Sequence, residues 1–124
     1  MKMNELGFAV LITTDGDVDV IEMPYNYDKY RAAIRAPYFE NVFMHNPLLR
    51  DIVMMVDEDE EGKLTGKPVN WIASALYANP YDLIVGEALI LRLARVGEYN
   101  ELDCLPFATK EEAEECKSII GVLV

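Results

Sequence analysis

The chain has 124 residues, 52% of them hydrophobic, and carries 22 Asp and Glu against 11 Lys and Arg for a formal net charge of -11. This length and apolar content suit one core and one domain over residues 1–124. The acid excess disfavours ordinary nucleic-acid binding, which needs cations against phosphates, and anionic membranes, while steering basic partners inward.

In chain order, the run from Phe8 to Thr13 and the alternation of Val18 and Val20 with Asp17 and Asp19 predict a hairpin turned at Asp15-Gly16, with Met23-Pro24 stopping its second strand. Tyr27, Tyr30 and Ile34 fall at helical spacing, predicting a helix over residues 27–36 before Pro37. A weaker strand is expected between Tyr38 and Met44, and another from Asp51 to Val56 that runs into the acidic string Asp57, Glu58, Asp59, Glu60, Glu61. Pro68 is placed as the first turn of a helix with Val69, Ile72, Ala73, Leu76 and Tyr77 on one stripe. Leu83 to Val85 and Ala88 to Leu91, either side of Gly86, are the most hydrophobic region and the expected sheet centre, with Gly86 marking a bulge or a close backbone approach. Thr109 followed by Glu112 predicts a capped final helix with Ala113, Cys116, Ile119 and Ile120 inward and Gly121 as its terminator. The sum is an α+β domain, mostly antiparallel sheet with about three helices against it.

Few residues point to chemistry. Asp57, Asp59, Glu61 and Gly62 match the opening of an EF-hand loop, but its twelfth position is Pro68, which cannot supply the bidentate carboxylate. The loop from Gly62 to Lys67 has one residue too few between its glycines for a phosphate loop and lacks the hydroxyl that holds magnesium. His45 is the sole histidine, and Cys104 and Cys116 are too few thiols for a zinc cage, so no metal and no cofactor are expected. Ser74 lacks a nucleophile-elbow pattern, Cys116 sits at a core spacing, and Cys104 is the least implausible nucleophile. Nothing in the spacing of the carboxylates singles out a catalytic pair. No catalytic residue is assigned, and the chain is expected not to be an enzyme. The residues after Met1 carry no secretory pattern, and no apolar run approaches the roughly 18 residues that span a bilayer, so a cytoplasmic location is expected.

The segment from Asp57 to Leu91 resembles the bacterial and phage family catalogued as domain of unknown function 3846, through Gly62, Leu64, Gly66, Pro68 and Asn70 and then Asp82, Ile84 and Gly86. The opening hairpin fits the same pattern. That resemblance implies a small modulator of a host protein encoded by a phage or mobile element, acting in the host cytoplasm, and brings no catalytic residues.

The leading expectation is a non-enzymatic interaction protein whose acid engages a basic host surface, as a nucleic-acid mimic would inhibit a defence protein. Its contacts are expected at Asp57, Glu58, Asp59, Glu60 and Glu61 and at Glu111, Glu112 and Glu115. The alternative is a module that binds or sequesters a nucleotide-like ligand, stacked on Tyr25, Tyr27, Tyr30, Tyr38, Phe39 or Trp71, with the glycine loop before Pro68 giving backbone donors. An exposed face on the strands over residues 52–56 or 83–91 would invite a homodimer.

Overall fold

Two apolar runs separated by a glycine turn fold back on one another as strands β1 (Leu6–Ile12) and β2 (Val18–Pro24), paired from Leu6↔Pro24 to Ile12↔Val18. The computed structural model describes residues 1–58 and 66–124. The turn closes with the Gly16 amide donating to the Thr13 carbonyl at 3.1 Å, and Gly16 alone of its residues takes a positive φ, 90°.

Helix α1 (Tyr27–Ile34) starts where the Asn26 side chain accepts from the Lys29 amide. It stops at Arg35, in the left-handed conformation, whose amide reaches back to the last turn. The strand expected between Tyr38 and Met44 is present but confined to β3 (Phe39–Val42), and it leads through a 3-10 turn (Pro47–Leu49), capped by Asn46, to β4 (Ile52–Asp57).

Helix α2 (Trp71–Leu76) begins three residues later than Pro68 implied. Asn70 is its cap, and Val69 instead makes an isolated bridge to Val85. The residues before Gly86 likewise form no strand beyond that bridge; β5 is Ala88–Val96. Gly86 supports a positive φ of 75° rather than a close approach, since a Cβ there would meet only the Lys67 side chain at 3.9 Å. The close approach is at Gly7, where a Cβ would lie 2.6 Å from the Phe107 carbonyl oxygen.

A strand that the composition did not signal, β6 (Glu101–Leu105), returns along the outer half of β5 after a turn with positive φ at Gly97 and Asn100. The final helix α3 (Lys110–Leu123) has its expected cap, the Thr109 hydroxyl accepting from the Glu112 amide at 3.2 Å. It runs through Gly121 to Leu123, so the proposed glycine stop is corrected: Gly121 is an exposed helical residue with a negative φ.

The strands form a six-stranded antiparallel sheet ordered β2-β1-β5-β4-β3, with β6 beside β5, so the fold is α+β. Alternation along each strand supplies two cores. Met54, Val56, Ile90 and Val10 face α2 and α3, where they meet Ala73, Leu76, Ala113, Cys116 and Ile120. Val53, Met55, Leu89 and Leu91 face α1 and pack on Tyr30 and Ile34. The expected sheet centre holds for Ala88 to Leu91 but not for Leu83 to Val85: β5 has neighbours on both sides, and Ala88 to Leu91 are completely buried. No helix among the described residues is long and apolar enough to cross a membrane.

Candidate functional site

Of the described acidic residues predicted as contacts, Asp57 does not share a face with Glu111, Glu112 and Glu115. Asp57 continues the alternation of Val53 and Met55, so it points to the α1 side; its side chain is 1% exposed and ion-paired with Lys67. It is a buried partner for Lys67 rather than a surface contact. Glu58 is exposed, and Asp59, Glu60 and Glu61 lie outside the described residues, as do Gly62, Leu64 and the remainder of the glycine loop before Gly66. Glu111, Glu112 and Glu115 are exposed on α3, across the sheet. Glu112 and Glu115 stand beside Asp51 and Ile52, at the start of β4, about 16 Å from Asp57 at 3.3 Å per strand residue.

Around Glu112 and Glu115 three depressions join into one groove between α3 and residues 47–52. Phe107, Glu112, Glu115 and Ile119 face Asp51 and Ile52 in the first. The second lies between Leu48 and Ile52, and the third places Leu48 opposite Ile119, Val122 and Leu123. Leu48 is 70% and Val122 86% exposed, so large apolar side chains stand in solvent along this groove. Its rim is acidic at Asp51, Glu112 and Glu115; Arg50 is ion-paired with Asp51 at 3.8 Å, and Arg92 donates to the Pro106 carbonyl at 2.8 Å. The 3-10 turn exists because Asn46 accepts from the Leu48 amide at 2.9 Å, which fixes Leu49 inward and Leu48 outward.

The aromatic set is used differently from a stacking pocket. Tyr30 is fully buried and donates to the Cys104 carbonyl at 2.9 Å. Tyr25 and Tyr27 both donate their hydroxyls to Asp103, and the Cys104 amide donates to the same carboxylate. Tyr27 meets Tyr30 edge-on and stacks on Phe39. Burial, and next the Asp103 carboxylate, push the Tyr25 phenol up to about 12 and raise Tyr27 further still; burial also raises Tyr30. Tyr25 and Tyr30 are thus core residues, and the half-buried Tyr27 and Phe39 pack against them and each other. Tyr38 and Trp71 are exposed, and neither lines the groove beside α3 or the cleft at Arg35.

The nucleophile candidates are likewise committed elsewhere. Burial raises both thiols, Cys116 to about 12, which disfavours the reactive thiolate. Cys104 packs on the α1 side, whereas His45 lies across the sheet with Nε2 at 3.0 Å from the Ala75 carbonyl. Ser74 Oγ accepts from the Ile84 amide at 2.9 Å and holds that loop. Among the described residues no group of three or more His, Cys, Asp or Glu is placed to hold a metal.

A second cleft lies on the α1 side, where the first hairpin turn, the end of α1 and the start of β5 meet: Thr14, Ile34, Arg35, Lys67, Pro68, Gly86 and Glu87 enclose about 280 Å³. Comparison of the chain with family models, curated proteins and solved structures gave no match.

Proposed function

We propose that this protein is a non-enzymatic interaction domain whose groove between α3 and residues 47–52 receives a basic amphipathic helix of a partner protein. The observation that carries the reading is the groove itself: Leu48, Ile119, Val122 and Leu123 offer apolar contacts beneath an acidic rim at Asp51, Glu112 and Glu115. From Glu112 to Leu123 the helix extends about 16 Å, room for about three turns of a docked helix anchored at i, i+3, i+4 and i+7. Charge selects the occupant. A second copy of a chain at -11 would bring its own carboxylates to this rim, whereas a lysine- or arginine-rich helix is drawn to it. A basic surface that otherwise holds nucleic acid, as on a nuclease of a host defence system, belongs to this class of partner. Such a partner would be held through a groove and two or three carboxylates rather than through one broad phosphate-like face.

The test is fluorescence anisotropy with a labelled Lys/Leu helix-forming peptide, beside a scrambled peptide of equal charge. The amphipathic peptide should bind more tightly, less so as salt rises, and Leu48→Lys with Val122→Lys should weaken it by tenfold or more, on the order of a loss of 1–2 kcal/mol at an interface anchor. Both sites are exposed, so the fold should be unaffected. Equal affinity for the two peptides, or for the substituted and parent proteins, contradicts the reading.

A further inference from the structure

The cleft on the α1 side is independent of the groove, since α1 and α3 cover opposite faces of the sheet. Its walls are held by a buried polar knot. Asn70, completely buried, donates to the Ile12 carbonyl at 2.9 Å and the Gly86 carbonyl at 3.0 Å, and accepts from the Ala73 amide at 3.0 Å. The Gly86 amide donates to the Pro68 carbonyl at 2.9 Å, and the Asn70 amide to the Ile84 carbonyl at 2.8 Å. Segments distant in sequence are thereby pinned before any ligand arrives, which lowers the ordering cost of binding.

Two cations meet in this cleft in a strongly acidic chain. Lys67 is shared with Asp57. Arg35 occupies a left-handed helix-end position, φ 56°, where Gly or Asn is the less costly residue, and among the described residues its guanidinium has no hydrogen-bond or ion-pair partner. On the other side Glu87 spends Oε2 on the Thr14 amide at 3.1 Å, which leaves the acceptor capacity of Oε1. Ile34 and Pro68 complete the lining with apolar surface.

We propose that this cleft binds a small phosphorylated ligand of nucleoside-monophosphate type, its phosphate on Arg35 and Lys67 and an N–H donor of its base on Glu87. Guanidinium suits phosphate because its planar fork makes paired charge-assisted hydrogen bonds, and a carboxylate discriminates by accepting from an amino group. The size is that of a small-molecule site, near the lower end of the usual range of roughly 300–1,000 Å³.

Isothermal titration with CMP, GMP and inorganic phosphate tests it. CMP or GMP should bind at least about tenfold more tightly than phosphate. Arg35→Asn, which tolerates the left-handed backbone while removing the cation, should weaken nucleotide binding about tenfold, and Arg35→Lys less. Thr14→Trp, on the turn and outside both cores, should block the cleft with no change in the far-ultraviolet circular dichroism. The proposal is overturned if none of the three probes binds at millimolar concentration, if phosphate alone binds as tightly as the nucleotides, or if binding survives both Arg35→Asn and Thr14→Trp. The peptide assay on the groove should be unaffected by these substitutions, so failure here and failure there are separable.

Discussion

Replacing Asn70 by Ala removes a helix cap and two donors at once. The cap alone, the Asn70 side chain accepting from the Ala73 amide, is worth about 1 kcal/mol. The Ile12 carbonyl loses an Asn70 N–H in a buried site and the Gly86 carbonyl loses one in a half-buried site, and an unmet buried partner costs about 1–3 kcal/mol before relaxation. Carbonyls tolerate one unfilled lone pair better than amides tolerate none, which favours the low end for each. Asn70→Ala should therefore destabilise by about 2–4 kcal/mol, leaving a folded protein if its total stability lies in the usual range of about 5–15 kcal/mol. Asn70→Asp, equal in shape, keeps the cap but sets a carboxylate against those two carbonyls and should cost more at neutral pH than Ala does. Urea denaturation followed by circular dichroism measures both. A loss below 1 kcal/mol for Ala, or an Asp variant as stable as the parent, would refute the claim that this side chain pins the cleft.

Gly121→Ala should stabilise by roughly 0.5–1 kcal/mol, because the site is exposed, helical and open around an added Cβ; a loss in the same urea titration would mean that the glycine ends the helix after all. Gly7→Ala should destabilise by about 1–3 kcal/mol, since its Cβ would press on the Phe107 carbonyl and Pro106, and a neutral result would dispute that packing. Alkaline stability follows from the raised groups. Tyr25 rises from 10.0 to about 12 and Cys116 from 9.0 to about 12, so the stability held by their neutral forms is complete below pH 9 and is lost as pH climbs toward 12. Tyrosinate absorbance should therefore show Tyr25, Tyr27 and Tyr30 ionising only well above the ordinary phenol range or with unfolding; ionisation of these three near pH 10 in the folded protein would contradict it.

Local signals in the sequence were strong where one element depends on its own residues. The Asp15-Gly16 hairpin, the helix at Tyr27, the strand ending at Asp57 and the Thr109 cap all follow from periodicity and capping chemistry. Strand β6 was not legible because Glu101 to Leu105 carries little apolar weight; the Gly97 to Asn100 turn was the available clue. Pro68 suits a first turn equally well, whereas Asn70 wins by its cap to Ala73 and by two hydrogen bonds, to Ile12 and Gly86, that only the tertiary fold provides. Of the groove, Glu112 and Glu115 were visible as helix-face acids, but Leu48 meets Val122 only once the 3-10 turn docks beside α3. Arg35 and Glu87 carried no motif, since their cleft is assembled from segments far apart in the chain.

The central claim is where a basic amphipathic helix lands on this domain. Backbone amide chemical-shift mapping with the Lys/Leu peptide measures that directly. A helix seated in the groove gives the largest changes at Leu48, Asp51, Glu112, Glu115, Ile119 and Val122. Changes centred on β2, on β6 or around Arg35, or none at saturating peptide, would contradict it.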